Sequence, residues 1–195
     1  MIAMNNLPPI EEPQAYGGFL RALWRTWVSA CFYPRKFFET VGNSQNLTPA
    51  LLFGFGCWAI LSLFSWFVLF PIALSDREAQ KEFGLFLFLS PLLFLVGGGM
   101  HFALALLYGL ILHLFLLLFG GAKQGLRITL RVVAYAQAPI ILLCGIWIFV
   151  LYTEGLAAAH RTGIWRSTLA VLVSFILFLC CFGGLQVLLE ASQLG

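Results

Sequence analysis

The sequence predicts an all-α fold: a polytopic transmembrane helical bundle of four to five spans, five being favoured, with an amphipathic interfacial helix before it. Three observations carry this. Hydrophobic residues make up 61% of the 195-residue chain and charged residues only 10%, against about a quarter charged in soluble domains. Two long runs, residues 49–74 and 84–119, hold no charged residue. The basic residues sit at the edges of the apolar runs, where they orient spans and meet headgroups. Twenty Phe and six Trp suit a lipid-facing surface and leave a soluble protein with large exposed patches.

Residues 1–15 read as a flexible tail. Pro8, Pro9, Glu11, Glu12 and Pro13 occupy it, and it lacks the basic and apolar regions of a cleavable signal peptide. Residues 16–48 form an amphipathic, interfacial segment. Its large side chains Tyr16, Phe19, Leu20, Leu23, Trp24, Trp27, Val28, Cys31 and Phe32 recur three and four apart, with Arg21, Arg25 and Ser29 elsewhere. That is helical amphipathicity. It fits a helix lying in the membrane interface and equally one packed on the bundle. Pro34 opens a second short segment with Arg35, Lys36, Phe37 and Phe38.

The transmembrane domain occupies 49–190. Asn46-Leu47-Thr48 matches a glycosylation sequon, but Thr48 before Pro49 reads better as the N-cap of the first span. The run 84–119 exceeds one upright crossing of a core about 30 Å thick, so it must tilt, kink or break; Pro91 and Gly97, Gly98 and Gly99 offer the place. A third zone, 126–159, is one bent helix or a hairpin turning near Cys144 and Gly145. The hairpin puts Lys123, Arg127, Arg131, Arg161 and Arg166 on the side of a cytoplasmic N-terminus, as the positive-inside rule favours. The last span runs from about residue 167 to 189 by length.

Phe119-Gly120-Gly121-Ala122-Lys123, followed by Val133-Ala134-Tyr135-Ala136-Gln137-Ala138-Pro139, resembles the core signature of the Yip domain family. Tyr33-Pro34-Arg35-Lys36-Phe37-Phe38 resembles its Pro-basic-Phe-Phe opening. Trp147, Gly155-Leu156 and His160 look like its late elements, although Arg161-Thr162-Gly163 stands where glycine would follow the histidine directly. The likeness runs over about residues 24–189. It implies a five-span protein without established enzymatic activity. Eukaryotic members are linked to Rab-type GTPases and membrane traffic, and this compact chain looks more like the bacterial members, which points to the bacterial inner membrane.

For chemistry, His101 and His113 stand about 18 Å apart and roughly 120° around one helix, so they cannot share a metal. Each is weighed as an interhelical hydrogen bonder against a functional ionisable group. Glu154 needs a proton, a partner or water at depth, and Arg131 and His160 are its candidate partners. Arg127 and Arg131, four apart, suit either a lipid phosphate or snorkelling. Tyr135, four before Pro139, is placed to cap carbonyls that the proline frees. The five cysteines read as small buried hydrophobes, and the net charge of +3 does not point to nucleic acid. No catalytic or cofactor motif occurs.

These features make a non-catalytic scaffold or assembly protein, working through membrane lipids and a membrane-protein partner or second copy, the leading expectation. The alternatives are a small transporter or channel using the intramembrane His and Glu, and an accessory subunit of a larger membrane complex.

Overall fold

The computed structural model describes residues 6–75, 77–142 and 145–193, with side chains described outside 69–88, 90, 141–145 and 182–195. Every regular element among them is helical. The helices are α1 (Phe19–Phe32), α2 (Pro34–Val41), α3 (Thr48–Ser75), α4 (Arg77–Leu118), α5 (Leu126–Tyr135), α6 (Gly145–Ala159) and α7 (Ile164–Gln193). Short 3-10 turns span Pro9–Glu11, Pro13–Tyr16 and Ala138–Leu142.

Three stretches, Thr48–Val68, Pro91–Leu118 and Ile164–Cys181, are long and apolar enough to cross a membrane, and Ile146–Ala159 is a shorter apolar helix. Their outer faces carry Phe64, Phe67, Leu92, Val96, Leu114 and Ile176, all exposed. In water such a surface is costly; in hydrocarbon it is solvated. The chain is an integral membrane protein.

α3 and α4 pack as an antiparallel hairpin. A Cβ on Gly54 would lie 2.6 Å from the Phe102 ring and 2.8 Å from the Ala134 carbonyl oxygen, so only glycine allows α3 to sit this close to α4 and α5. Of the three options for the second apolar run, tilting, kinking or breaking, a break does not occur. α4 is one helix of 42 residues through Pro91, and Gly98 serves packing, with its Cβ position 2.6 Å from Ser62 Oγ on α3. The start of α3 also differs in detail. The helix begins at Thr48, and the side chain that meets the Thr48 N–H is Asn46, through Oδ1 at 3.2 Å.

The third zone is divided. α5 and its 3-10 extension form one arm and α6 the other, antiparallel because Thr129 faces His160 and Gln137 faces Tyr152. The turn expected near Cys144 lies partly outside the described residues, and α6 begins at Gly145. α5 is the axis of the core. Ile128, Val132, Val133, Ala134 and Tyr135 are fully buried on it, packed with Phe37 and Phe38 of α2, Phe53 of α3 and Leu112 and Leu116 of α4.

α1 turns its amphipathicity outward. Ala22, Thr26, Ser29 and Ala30 are buried, whereas Phe19, Leu20 and Trp24 are 59%, 77% and 62% exposed. Small residues permit close approach to the bundle, and the aromatic face is left exposed. Where the composition suggests a free tail, residues from Asn6 are laid against the bundle. Ile10 is buried, and its N–H donates to Thr26 Oγ1 at 3.0 Å.

Two helix ends face the same way. At the end of α4, Gly121 N–H reaches the Leu116 carbonyl and Gly120 N–H the Leu117 carbonyl, with Gly120 left-handed at φ 65°. This is a Schellman motif, and it explains the Gly-Gly after Phe119. At the end of α6, Thr162 N–H reaches the Ala157 carbonyl and Arg161 N–H the Ala158 carbonyl. The left-handed position there is Arg161, at φ 51°. The two ends are tied together: Lys123 Nζ donates to the Arg161 carbonyl at 3.4 Å and Arg166 to the Gly120 carbonyl at 2.9 Å. Arg161 also reaches Asn43 Oδ1 at 3.3 Å, so the loops after α2, α4 and α6 share one end of the bundle.

Candidate functional site

At that end Arg131 is wholly buried, and its partner comes from the N-terminal segment. Its guanidinium pairs with Glu11 and donates to the Ser44 carbonyl; the side-chain exposures of the ion pair are 0% and 5%. Glu11 also accepts from Tyr135 Oη at 3.0 Å and from Ser44 Oγ at 2.6 Å. Segments around residues 11, 44 and 131–135 thus converge on one carboxylate. A buried ion pair is tolerable only when further hydrogen bonds satisfy both partners. Here the carboxylate is well satisfied, while Arg131 Nε is buried without a partner.

Three expectations change as a result. Arg131 is not the partner of Glu154. Arg127 is exposed while Arg131 is buried, so the two do not hold one phosphate. The Tyr135 phenol bonds Glu11 and not the carbonyls near Pro139; the Ala138 carbonyl is met instead by Trp27 Nε1 at 2.8 Å. Pro139 itself is buried in the 3-10 turn.

The histidines divide. His113 Nδ1 lies 2.7 Å from Thr129 Oγ1, and Thr129 Oγ1 lies 2.9 Å from His160 Nε2. The Gln124 N–H donates to His160 Nδ1 at 3.2 Å, so Nδ1 must be the acceptor and the ring proton sits on Nε2, directed at Thr129. The threonine hydroxyl is then free to donate to His113. Thr129 and His160 are fully buried. Just past the end of α6, burial pushes the His160 pKa down from 6.5 to about 4, with His113 beside it adding to the shift. His101 stands apart, stacked on Trp58 at 5.0 Å and bonded to the Gly97 carbonyl of its own helix at 2.8 Å.

Glu154 is half-buried and opens on a polar cavity of about 630 Å³ shared with Arg35, Glu39, Asn43, Arg161 and Thr162. No group of three or more His, Cys, Asp or Glu able to hold a metal occurs among the described residues. Glu11, Ser44, Gln124 and Thr129 are the participants that sequence reasoning missed. Glu11 stands 120 residues from Arg131 and nothing local betrays the pairing; Thr129, two positions before Arg131 and beside the apolar Ile128, carries the one readable signal, a polar residue at a core position.

Among known proteins, the family model described as the Yip1 domain matches residues 28–185. No curated protein matches the chain, and no solved structure does.

Proposed function

The chain belongs to the Yip1 domain family, and from that premise we propose that it is a non-catalytic scaffold or assembly protein, acting through protein and lipid contacts. One observation carries the reading: the two buried ionisable groups at the polar end, Arg131 and His160, are consumed in ties between distant segments. Arg131 is held by Glu11 and Ser44, and His160 by Thr129 and Gln124. Groups so bonded fix the arrangement of helices and loops. What the protein offers outward is apolar and aromatic, including Phe19, Leu20 and Trp24 on α1.

In this reading α1 lies in the interface with its aromatic face toward lipid. The end carrying Arg35, Lys36, Lys123, Arg127, Arg161 and Arg166 faces the cytoplasm of a bacterial inner membrane, in line with positive-inside topology. The hairpin of α5 and α6 supplies the third and fourth of five crossings, and 49–190 is the membrane domain. A transporter would need His101, His113 and Glu154 on one path. They stand in three separate surroundings: His101 on Trp58, His113 on Thr129, Glu154 on the polar cavity.

The test is copurification in mild detergent after crosslinking in native membranes. One membrane-protein partner, or a second copy, should be retained in stoichiometric amount and be lost when Leu20 and Trp24 are both changed to Ala. A reconstituted flux or turnover that a single substitution abolishes, with the fold intact, would overturn the proposal.

A further inference from the structure

Glu154 lines a second space besides the polar cavity. An apolar groove of about 300 Å³ lies between α6 and α7, lined by Val150, Thr153, Thr168, Val171 and Leu172, and Glu154 belongs to both walls. Along α7 the lining steps from Ile164 at the polar end through Thr168 to Leu172, about 12 Å of helix. On α6 it runs from Ala158 to Phe149, about 13 Å. A polar chamber at loop level above an apolar groove, the two together close to one leaflet in depth, has the shape of a lipid, with headgroup above and acyl chain below.

The charges of the chamber narrow the headgroup. Two guanidiniums, Arg35 and Arg161, and two carboxylates, Glu39 and Glu154, line it. Arg35 and Glu39 are a loose, exposed pair at 4.0 Å. The Thr162 hydroxyl oxygen is buried with no hydrogen-bond partner, and the chamber reaches Ile164, the first residue of α7, where a helix favours an anion. Arg161 occupies the left-handed backbone position that ends α6, at φ 51°, which favours glycine. An anionic headgroup would meet both carboxylates. A quaternary ammonium brings no N–H donors to them, whereas a primary ammonium brings three.

We propose that this cleft between α2, α6 and α7 binds one phospholipid with a phosphoethanolamine headgroup. The phosphate lies against Arg161 and Thr162, the ammonium between Glu154 and Glu39, and one acyl chain in the groove. The site names the lipid for the protein proposed above and rests on that reading only for membrane embedding. Its failure would leave partner retention untouched, so the two fail separately.

The experiment is native mass spectrometry of the full-length protein stripped of lipid in mild detergent. It is titrated with short-chain diacyl phosphatidylethanolamine, phosphatidylglycerol or phosphatidylcholine, and in parallel with O-phosphoethanolamine and inorganic phosphate. Phosphatidylethanolamine should bind about tenfold or more tightly than the other two lipids, the scale of one charge-assisted hydrogen bond. The Glu154→Gln and Arg161→Asn variants should each lose about that factor. Asparagine takes a left-handed backbone readily, so Arg161→Asn should melt no lower than the parent. Leu172→Trp fills the groove, and Thr168→Leu does so with less bulk; either should weaken the lipid and leave O-phosphoethanolamine binding unchanged. Equal or tighter binding of phosphatidylglycerol overturns the proposal. So does unchanged phosphatidylethanolamine binding in both charge variants, or binding of O-phosphoethanolamine or inorganic phosphate as tight as that of the lipid.

Discussion

Replacing Glu11 with alanine should destabilise the whole bundle although the residue lies near the N-terminus. The substitution leaves the Arg131 guanidinium, 0% exposed in its side chain, without its counterion, while the Ser44 carbonyl still accepts from it. Removing one member of a buried pair costs about 3–5 kcal/mol because the other charge stays in a poor solvent. The N-terminal segment can lift and admit water, which places the expected loss near the lower end, about 3 kcal/mol. Arg131→Met strands Glu11 less severely, since Tyr135 and Ser44 still bond it, and should cost roughly 2 kcal/mol. In the double variant no charge is stranded, so the two losses should fall short of additive by at least about 1.5 kcal/mol. Equilibrium unfolding in mixed micelles of rising dodecyl sulfate fraction, followed by circular dichroism, measures all three. A Glu11→Ala loss below about 1 kcal/mol, or strict additivity, would refute the pairing as a structural tie.

Three further outcomes follow from the same structure. Because the folded His160 pKa lies at about 4, below its ordinary 6.5, the unfolded chain takes up the proton first. The stability this residue contributes is therefore complete above about pH 6.5 and declines as pH falls toward 4, by roughly 3 kcal/mol in all; the melting temperature of the wild type should fall over that window more steeply than that of His160→Asn. Thr129→Val keeps the volume but removes the group between His113 and His160, and should cost about 1–3 kcal/mol in the same unfolding assay. Gly155→Ala places a Cβ 2.8 Å from Val132 Cγ1 and 3.1 Å from the Phe38 ring, and overpacking of about 1–3 kcal/mol should appear as a lower melting temperature.

The long spans were legible because their signal is local. Residues 49–74 and 84–119 hold no charge, and hydrocarbon permits nothing but a helix there. Motif resemblance over residues 24–189 was likewise borne out by the match over 28–185. The glycines of the second run were visible as places to bend or to pack closely, but which use each serves was not. Gly98 gives an absent Cβ that reads alike as a weak point or a contact, and only the Ser62 oxygen opposite it decides. The periodicity of α1 fixed two faces without saying which met the bundle; its buried side is the small one, Ala22, Thr26 and Ala30. At the candidate site, Arg131, Tyr135 and His160 were picked out as residues, but their partners were not. Glu11 lies among prolines in a segment that looks like tail, and long-range electrostatic pairing leaves no periodic trace.

The separation between Glu11 and Arg131 also has a consequence for biosynthesis. Ribosomes make the carboxylate first, and 120 residues must follow before its counterion exists. Through the insertion of α3 and α4 the acidic segment waits at the surface. Arg131 enters with its neutralising partner already made, so a buried cation closes over a charge supplied by a segment synthesised earlier. Docking of the N-terminal residues is then a late event that reports completion of α5, and an N-terminal protease site would become protected only when that helix has arrived.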